Sequence, residues 1–386
     1  MLFADVTRLL RRHIGAIRHT GIDRVSLEYA RWAHRNNGGL CIKRVGRLRQ
    51  LSEGDWARSL LGDVQPGSSG SQRRRNRMLL FLRALAYRKA IPRNSTVLAL
   101  THSWLGHDSA WQWMRRRGCR AIVFIHDLIP IEFPEYSHPR EKRLHAKRIG
   151  NTLKNARGIV VNSRCTERAL RNFAAVERLE CPPILVNPLG HDLPDTGNES
   201  LPSGLRNPYF VLLGTIEPRK NHLLILNLWR EIARRLGDRT PQLIVIGRRG
   251  WECEQVVDML ERCEAIHPHL VELNDAPDNQ VASLIRGARA LLMPSFAEGF
   301  GMPVQEALAW GTPVISTPLP AIKEFAGDIP DYAEPHDGAR WLELIEDYTQ
   351  PDSKYRAAQL DRIKSFKDTS WPEHFSRFEK FLQSLA

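Results

Sequence analysis

The sequence predicts an α/β protein built from two doubly wound parallel sheets. Short, almost continuous apolar runs such as AIVFI (121–125) and QLIVI (242–246) alternate with segments whose apolar residues recur at helical spacing. Strands that are apolar on both faces are typical of parallel sheets covered by helices on each side. The length of 386 residues suggests two such domains, since a domain has roughly 150 residues. A stretch rich in Pro, Gly and polar residues at 186–208 predicts the boundary, and the hinge, between them.

The first half begins with a strand, a loop and a helix. The apolar run LFADVTRLL (2–10) predicts a strand, a polar loop passes through Gly15 and Gly21, and helical spacing starts near Ile22. Residues 52–78 are poor in core residues and rich in Gly, Ser and Arg, which predicts an exposed loop with a mobile tip. The remaining segments predict the strands CIKRV, STVLALTHS, AIVFIHDLIP and GIVVNS, the helix MLLFLRALAYRKA and a helix from Thr166.

The second half repeats this alternation and ends in an amphipathic tail. Its predicted strands are YFVLLG, QLIVIG, HLVEL, ALLMPS and PVIST, and its predicted helices run from Leu223 to Leu236, from Glu252, near Asn279 to Gly287, and from Pro303. The tail WPEHFSRFEKFLQSLA predicts a helix with Phe375, Phe378, Phe381 and Leu382 on one side. We therefore expect domains at 1–195 and 206–370, followed by a helix at 371–386.

The charge of the chain is concentrated in its first half. Residues 1–200 carry a net charge of +18 and residues 201–386 a net charge of −5, so the whole excess of +13 lies in the N-terminal half. This asymmetry favours either a polyanionic partner, such as an anionic inner-leaflet membrane surface, or simply a solvated basic surface. We do not expect nucleic acid as the partner, because no recognisable nucleic-acid-binding module is present and aromatic residues do not interleave with the arginines.

Composition also bears on location and on metals. No stretch approaches eighteen apolar residues, and arginines interrupt the start of the chain where a signal peptide needs its apolar segment. We expect a cytoplasmic protein, with peripheral attachment to the inner membrane as the alternative. The six cysteines form no Cys-x-x-Cys pair, which argues against a zinc site or a disulfide framework. No Asp-x-Asp sequence offers ligands for a metal-bridged diphosphate, so we expect no metal requirement.

The most informative segment is MPSFAEGFGMPVQEALAWGTPVI, residues 293–315. It predicts a strand end, a glycine-containing loop, a short helix and another strand. Backbone N–H groups at such a helix N-terminus suit a phosphate. Glu298 in the loop and Glu306 in the helix add hydrogen-bond acceptors on either side of a bound diphosphate. Acceptors for hydroxyl groups that flank a diphosphate site are what a nucleotide sugar requires.

This segment resembles the donor-binding signature of retaining glycosyltransferases of family four, the glycosyl transferases group 1. The resemblance extends to GTIEPRKNH (214–222), LNDAPDNQVASLIRGARALLMPS, VNSRCTERAL, FIHDLIPIEFPE and, more weakly, to DVTRLL followed by TGIDRV. It implies the GT-B fold, in which two Rossmann-like domains face each other across a cleft. It also implies that the C-terminal tail packs back on the first domain.

The resemblance assigns roles to residues of the second half. Arg219 and Lys220, which follow the strand end at Gly214, would clamp the two phosphates; surface cations are the alternative. Glu306 would accept hydrogen bonds from the ribose hydroxyls, and Glu298 would lie near the hydroxyls of the transferred sugar, although an exposed helix residue and a turn residue are the simpler interpretations. The expected backbone contacts to the donor come from Gly214, Leu273 (base), Gly299, Phe300, Gly301 and Met302.

Two residues of the first half complete the implied site. His126 would face the donor sugar from the end of its strand, unless it is a strand-end histidine that bonds locally to Asp127. Gly21, with Gly15 and Thr20 before it, would approach the phosphates, although the paired glycines common in this loop are missing. Family members retain the anomeric configuration, which implies front-face attack without a covalent nucleophile.

The leading hypothesis is a glycosyltransferase that uses a GDP- or UDP-linked sugar. The arrangement of DVTRLL, TGIDRV and HDLIPIEFPE resembles mannosyl or rhamnosyl transferases of bacterial surface-polysaccharide assembly, so a mannose-like donor and a lipid-linked or growing polysaccharide acceptor are slightly favoured. A phosphate-dependent disaccharide phosphorylase of the same fold and a non-catalytic protein that binds nucleotide sugars remain as alternatives.

Overall fold

A computed structural model describes residues 1–15, 17, 19–51, 89–191 and 204–385. The chain divides into two compact units. Unit 1 comprises Met1–Pro188 together with His374–Ala386, and unit 2 comprises Leu189–Glu373. The sequence analysis placed the domains at 1–195 and 206–370 and the terminal helix at 371–386. Much of the predicted linker, 192–203, lies outside the described residues.

Unit 1 is built on a seven-stranded sheet. Its strand order is β3-β2-β1-β4-β5-β6-β7, and all neighbours are parallel except β2 and β3, which form an antiparallel hairpin. The inner strands are buried on both faces, as their apolar sequences predict. The strands are β1 (Leu2–Asp5), β2 (Gly39–Arg44), β3 (Arg47–Leu51), β4 (Thr96–Ala99), β5 (Arg120–Ile125), β6 (Gly158–Val161) and β7 (Ile184–Val186).

Helices connect these strands, and two predicted strands prove too long. The segment LFADVTRLL is a strand only to Asp5, and AIVFIHDLIP is a strand only to Ile125. In the first case Asp5 accepts a hydrogen bond from the backbone N–H of Thr7 at 3.0 Å, which turns the chain into a helix that buries Leu9 and Leu10. The described helices are α1 (Thr7–Ile14), α2 (Gly21–Arg35), α3 (Asp108–Arg116), α4 (Ile129–Glu132), α5 (Glu141–Asn155) and α6 (Arg164–Val176).

Two sequence predictions fall largely outside the described residues. They are the exposed loop at 52–78 and the helix MLLFLRALAYRKA (78–90). The last residue of that predicted helix, Ala90, instead forms an isolated antiparallel bridge with Arg49.

Unit 2 is built on a six-stranded sheet in which every neighbouring pair is parallel. Its order is β10-β9-β8-β11-β12-β13. The strands are β8 (Tyr209–Leu213), β9 (Gln242–Ile246), β10 (Leu270–Leu273), β11 (Leu291–Met293), β12 (Val314–Ser316) and β13 (Asp331–Tyr332). The helices are α7 (His222–Leu236), α8 (Glu254–Arg262), α9 (Asp278–Gly287), α10 (Met302–Ala309), α11 (Pro320–Ala326), α12 (Gly338–Thr349) and α13 (Lys354–Ile363).

The predicted element order of unit 2 is present throughout. Each predicted strand and helix occurs, with ends that differ by a few residues, as in α8, which begins at Glu254 instead of Glu252. Two apolar clusters lie on the two faces of the sheet, one around Trp229 and Trp341 and the other around Ile285 and Leu308. The prediction of an α/β chain with two Rossmann-like sheets is confirmed.

The last helix, α14 (Trp371–Ser384), crosses from unit 2 into unit 1 at His374. Its apolar side packs on α2: the ring of Phe375 stacks on Trp32 with centroids 5.4 Å apart, and Phe378 lies edge-on to Tyr29 at 5.0 Å. Glu379 accepts a hydrogen bond from the Trp32 indole at 3.0 Å. Among the described residues, no helix combines the length and the apolar character needed to cross a membrane.

Candidate functional site

The predicted donor residues of unit 2 meet where β8 and β11 end. These strands are parallel neighbours, so their carboxyl ends lie at one edge of the sheet, where open α/β proteins bind ligands. A short 3-10 turn, Pro218–Lys220, follows β8, and a loop leads from β11 to α10. The backbone N–H of Phe296 donates to the carbonyl oxygen of Arg219 at 2.9 Å, which joins the two connections.

Four charged side chains form a buried cluster there. Lys220 Nζ lies 2.7 Å from Glu298 Oε1, and Arg219 Nη1 lies 2.9 Å from Glu298 Oε2. Arg219 also contacts Glu217 at 2.6 Å and donates to the Ala297 carbonyl at 2.5 Å. The side chains of these four charged residues are only 6–17% exposed. Two cations and two carboxylates therefore balance each other and hold a fixed geometry.

The cluster determines the protonation of Glu298. Burial alone would raise the pKa of this carboxyl, but the positive charges of Arg219 and Lys220 outweigh burial and lower the pKa to about 2. Burial also lowers the pKa of Lys220, and the Glu298 carboxylate opposes that effect. Glu298 is consequently a carboxylate, able to accept hydrogen bonds but held by two cations.

Two glycines bring the strand ends close together. Gly214 has a φ of +150°, and a Cβ at this position would lie 3.2 Å from Cε of Lys220. At Gly247, which follows β9 with a φ of +155°, a Cβ would lie 1.9 Å from the carbonyl oxygen of Gly214. The role of Gly247 was missed by sequence analysis, although its signal was present as a glycine directly after an apolar strand.

The N-terminus of α10 follows Glu298 of the charged cluster closely in the sequence. Gly301, with a φ of +102°, is the residue that caps the helix, and Pro303 is its second residue instead of its first. A Cβ at Gly301 would come within 2.9 Å of Ile322, so the backbone passes close to α11. The ring of Phe300 is buried and stacks on Phe325 with centroids 4.9 Å apart, so this side chain packs in the interior instead of facing a ligand.

Glu306 lies one turn further along α10 and is only 4% exposed. The simple interpretation of this residue as an exposed helix glutamate is therefore wrong. Its neighbour Gln305 is buried as well and donates to the Leu189 carbonyl at 2.8 Å.

Leu273 ends β10 at the same edge of the sheet, two strands from β8. Its carbonyl oxygen accepts a hydrogen bond from the N–H of Gly247 at 3.0 Å. In the amide orientation that satisfies both its oxygen and its nitrogen, Asn274 donates to the Gly247 carbonyl at 2.8 Å. Leu273 is therefore joined to Gly247, which in turn packs on Gly214.

His126 lies in unit 1, directly after β5, and is 4% exposed. Its Nε2 lies 2.9 Å from the carbonyl oxygen of Leu100, so this nitrogen carries the proton and donates. Burial lowers its pKa, which keeps the ring neutral near pH 7. The sequence analysis offered a local hydrogen bond to Asp127 as the alternative for His126, and the structure shows a hydrogen bond to Leu100 instead.

Gly21 is the exposed first residue of α2. The preceding Thr20 and the following Asp23 form a capping box, in which the Thr20 N–H donates to Asp23 at 2.8 Å. Arg8 and Arg12 contact the same carboxylate at 2.7 and 3.0 Å. Hydrogen bonds and ion pairs thus join the start of α2 to α1.

The fold places the chain in a structural class. Two helix-covered sheets, one entirely parallel and the other parallel except for the β2–β3 hairpin, are the arrangement of the GT-B fold. Residues 197–339 match the family Glycosyl transferases group 1, and this match lies within the second half of the chain.

Relatives in sequence are mannosyltransferases of Escherichia coli. The chain is 28% identical over 372 residues to an O-antigen chain mannosyltransferase B of Escherichia coli, covering 91% of this chain and 93% of the relative. It is 29% identical over 265 residues to the serotype-specific mannosyltransferase WbdA of Escherichia coli, covering 62% of this chain but only 32% of that longer protein.

Solved structures share the fold over the whole chain. Anabaena Alr3699/HepE, in complex with UDP, has a TM-score of 0.62 at 15% identity and covers 100% of this chain and 98% of its own. Sucrose-phosphate synthase from Thermosynechococcus elongatus has a TM-score of 0.64 with the same identity and coverage. These comparisons confirm the predicted fold class.

Proposed function

We propose that this glycosyltransferase transfers mannose from a nucleoside diphosphate mannose to a growing or lipid-linked bacterial polysaccharide, with retention of the anomeric configuration. The observation that carries the proposal is the buried cluster of Arg219, Lys220 and Glu298 beside the start of α10. The sequence similarity to O-antigen mannosyltransferases supports mannose as the sugar and a polysaccharide as the acceptor.

The donor diphosphate would lie against the cluster and the helix N-terminus. Lys220 carries three N–H donors, and its bond to Glu298 uses one of them in the structure. Charge builds on the diphosphate when the sugar leaves, so fixed cations and helix N–H groups stabilise the transition state more than the ground state. Glu298 would hold both cations in position and accept hydrogen bonds from the sugar hydroxyls.

Buried Glu306 would accept the ribose hydroxyls, and the backbone at Leu273 would contact the base. A carboxylate has two oxygens, which match two neighbouring hydroxyls, and Glu306 is held buried in α10. Because the base would contact backbone groups, nucleotide titration decides between guanosine and uridine.

Retention would follow from front-face attack. The acceptor oxygen would bond to C1 on the face from which the diphosphate departs, and the leaving phosphate oxygen would take the acceptor proton. Glu298 would not attack C1 in this mechanism, because two ion pairs and a pKa of about 2 make it a weak nucleophile. His126, neutral and donating to Leu100, would orient the sugar instead of exchanging protons.

Nucleotide binding and transfer test the proposal together. Calorimetric titration with GDP, UDP, ADP and dTDP, without added metal, should give micromolar binding of one nucleotide, equivalent to about −8 kcal/mol. The matching mannose donor should then release nucleoside diphosphate in the presence of a mannan primer, and NMR should show an α-linked product from an α-linked donor.

Other outcomes point elsewhere. If no nucleotide binds and activity requires inorganic phosphate, the protein is a phosphorylase. Tight nucleotide binding without transfer to any primer would indicate a binding protein. An inverted anomer would exclude front-face attack while leaving the donor site intact.

A further inference from the structure

Helix α10 is bonded to both stretches on which the chain passes between its two units. The passage into unit 2 lies within residues 187–191 and the return within residues 368–374, and we call these stretches the crossing segments. Gln305 of α10 donates from its side-chain nitrogen to the Leu189 carbonyl at 2.8 Å and to Asp368 Oδ1 at 3.2 Å. One side chain of α10 therefore contacts both crossing segments.

An amide suits this position because both of its partners are hydrogen-bond acceptors. The side-chain nitrogen of glutamine carries two N–H groups, one for each partner, whereas a carboxylate would offer none. Gln305 is only 2% exposed, so bulk water does not replace a lost partner. Gln305, Leu189 and Asp368 all belong to unit 2, so these bonds are internal to that unit.

The acceptor carboxylate of Asp368 is itself held in place. Its Oδ2 lies 2.9 Å from Nδ1 of His191, on the other crossing segment, and its Oδ1 accepts from the backbone N–H of Thr369 at 2.8 Å. The side chain of His191 is 3% exposed and that of Asp368 is 33% exposed. Asp368 therefore offers Gln305 an acceptor whose position is fixed from both crossing segments.

The two crossing segments also pack directly on each other. A Cβ at Gly190 would lie 2.5 Å from the backbone nitrogen of Trp371, so only glycine lets the two backbones come this close. Within unit 1, Asn187 donates to the His374 carbonyl at 3.0 Å, and His374 Nδ1 donates to the Pro188 carbonyl at 2.8 Å. The partners of Gln305 thus lie on a closely packed pair of segments, which gives α10 a firm anchor.

The apolar contacts of α10 do not fix its rotation by themselves. Val304, Ala307 and Leu308 are buried in one apolar cluster of unit 2. Apolar packing has little directional preference, whereas a hydrogen bond constrains both distance and angle. Successive residues of a helix project about 100° apart, so the bonds of Gln305 also set the direction of Glu306.

We propose that Gln305 is a positioning residue, which anchors α10 to the crossing segments so that the Glu306 carboxylate meets both ribose hydroxyls of the nucleotide. Gln305 itself would not touch the nucleotide, because its side-chain nitrogen is engaged by Leu189 and Asp368. The inference rests on the proposed function, since it takes Glu306 as the acceptor for the ribose hydroxyls.

Calorimetric titration of the full chain with GDP, UDP and the dideoxyribose analogue of each tests the proposal. In the wild type the ribose hydroxyls should strengthen binding about tenfold or more, because hydrogen bonds to a charged group are strong. Gln305→Met keeps the size of the side chain without its amide. It should weaken binding of the ribose nucleotide about threefold to tenfold and change binding of the analogue less than about twofold.

A double variant shows whether Gln305 acts through Glu306. Gln305→Met/Glu306→Gln should bind the ribose nucleotide as weakly as Glu306→Gln alone, because both changes remove the same contact. Additive losses would mean that Gln305 affects the nucleotide by another route, and the positioning role would be overturned.

Two further variants separate positioning from general stability. Gln359 is also a buried glutamine of unit 2, and its side chain bonds to both the N–H and the carbonyl of Val314. Gln359→Met should lower stability in urea denaturation as Gln305→Met does, yet leave the preference for ribose unchanged. Asp368→Ala removes a partly exposed acceptor, so it should fold readily and reproduce the loss of ribose preference.

The outcomes distinguish this inference from the proposed function. If the wild type binds neither GDP nor UDP, the donor site fails and the inference fails with it. If the wild type binds the ribose nucleotide and its analogue equally, Glu306 does not accept the ribose hydroxyls, and the inference is again overturned while the phosphate site stands. If Gln305→Met and Asp368→Ala weaken nucleotide and analogue alike, the donor site stands and the positioning role is overturned.

Discussion

At the scale of single residues, Lys220 is the side chain whose loss should matter most for donor binding. Lys220→Met removes a buried cation that contacts Glu298 at 2.7 Å. A charge-assisted hydrogen bond contributes roughly 1.5–3 kcal/mol, so nucleotide binding should weaken about tenfold to a hundredfold. Titration calorimetry would measure the change, with Lys364→Met, an exposed lysine of unit 2, as the control. Unchanged binding in Lys220→Met would remove this residue from the donor site.

His222 should set part of the acid sensitivity of unit 2. Its ring is buried, neither nitrogen has a hydrogen-bond partner among the described residues, and burial, aided by Lys220, lowers its pKa to about 3. The unfolded chain takes up a proton on this histidine below its unfolded pKa of about 6.5, whereas the folded protein does so only near pH 3. The free energy of unfolding is therefore unaffected by His222 above about pH 6.5 and decreases as the pH falls from about 6.5 toward 3.

His222→Leu should therefore flatten the stability profile. The free energy of unfolding of the variant relative to wild type should rise by about 1–2 kcal/mol between pH 7.5 and pH 5, measured by urea denaturation. As a control, His267→Leu replaces an exposed histidine of the same unit, and it should leave the pH dependence of the free energy of unfolding as in wild type. A profile of His222→Leu parallel to that of wild type would show that this histidine does not control it.

At the scale of elements, the close approach of two strand ends should be sensitive to one methyl group. In Gly247→Ala the new Cβ would lie 1.9 Å from the Gly214 carbonyl oxygen, so the ends of β8 and β9 must separate. The expected loss is about 1–3 kcal/mol of stability together with weaker nucleotide binding, because Gly214 lies against Lys220.

A matched substitution separates steric conflict from backbone strain. Gly311 also has a positive φ, of +76°, but a Cβ there would meet nothing within 4 Å. Gly311→Ala should therefore cost only the strain of its conformation, about 1 kcal/mol, and leave nucleotide binding intact. Chemical denaturation and calorimetry of both variants would decide, and equal behaviour of the two would contradict the steric argument.

The order of elements was predictable from sequence, whereas the contacts of the site were not. Apolar runs and helical spacing are local signals, and they located five of the six described strands of unit 2 but not the two-residue strand β13. The pairing of Lys220 with Glu298 joins residues far apart in sequence and arises because β8 and β11 are neighbours, which spacing alone does not reveal. Sequence analysis therefore named both residues but gave one to the phosphates and the other to the sugar.

Failures at element ends have a similar origin. The first strand stopped at Asp5 because that carboxylate bonds to the N–H of Thr7, a local bond that an apolar run conceals. The approach of Gly247 to Gly214 depends on the register of β8 against β9, which sets Leu213 beside Ile246 and the glycines just beyond. Neither feature can be read from hydrophobic periodicity.

At the scale of the whole molecule, the chain returns to unit 1 only in its last residues, and that return should support unit 1. Phe378 is fully buried against Tyr29 and Trp32. His374 Nδ1 donates to the Pro188 carbonyl at 2.8 Å, and His374 Nε2 accepts from the Tyr29 hydroxyl at 2.9 Å. Phe378→Ala should destabilise unit 1 by about 3–5 kcal/mol, the usual cost of emptying a buried phenylalanine site.

The effect should be confined to one unit. Hydrogen exchange of the full chain would show faster exchange in the strands of unit 1 for Phe378→Ala, while the strands of unit 2 keep their protection, because the core of unit 2 contains no residue of this helix after Glu373. Lys380→Ala, an exposed position on the same helix, should leave both patterns as in wild type. Equal loss of protection in both units would mean that they unfold as one cooperative body, and the terminal helix would then stabilise the whole chain instead of unit 1 alone.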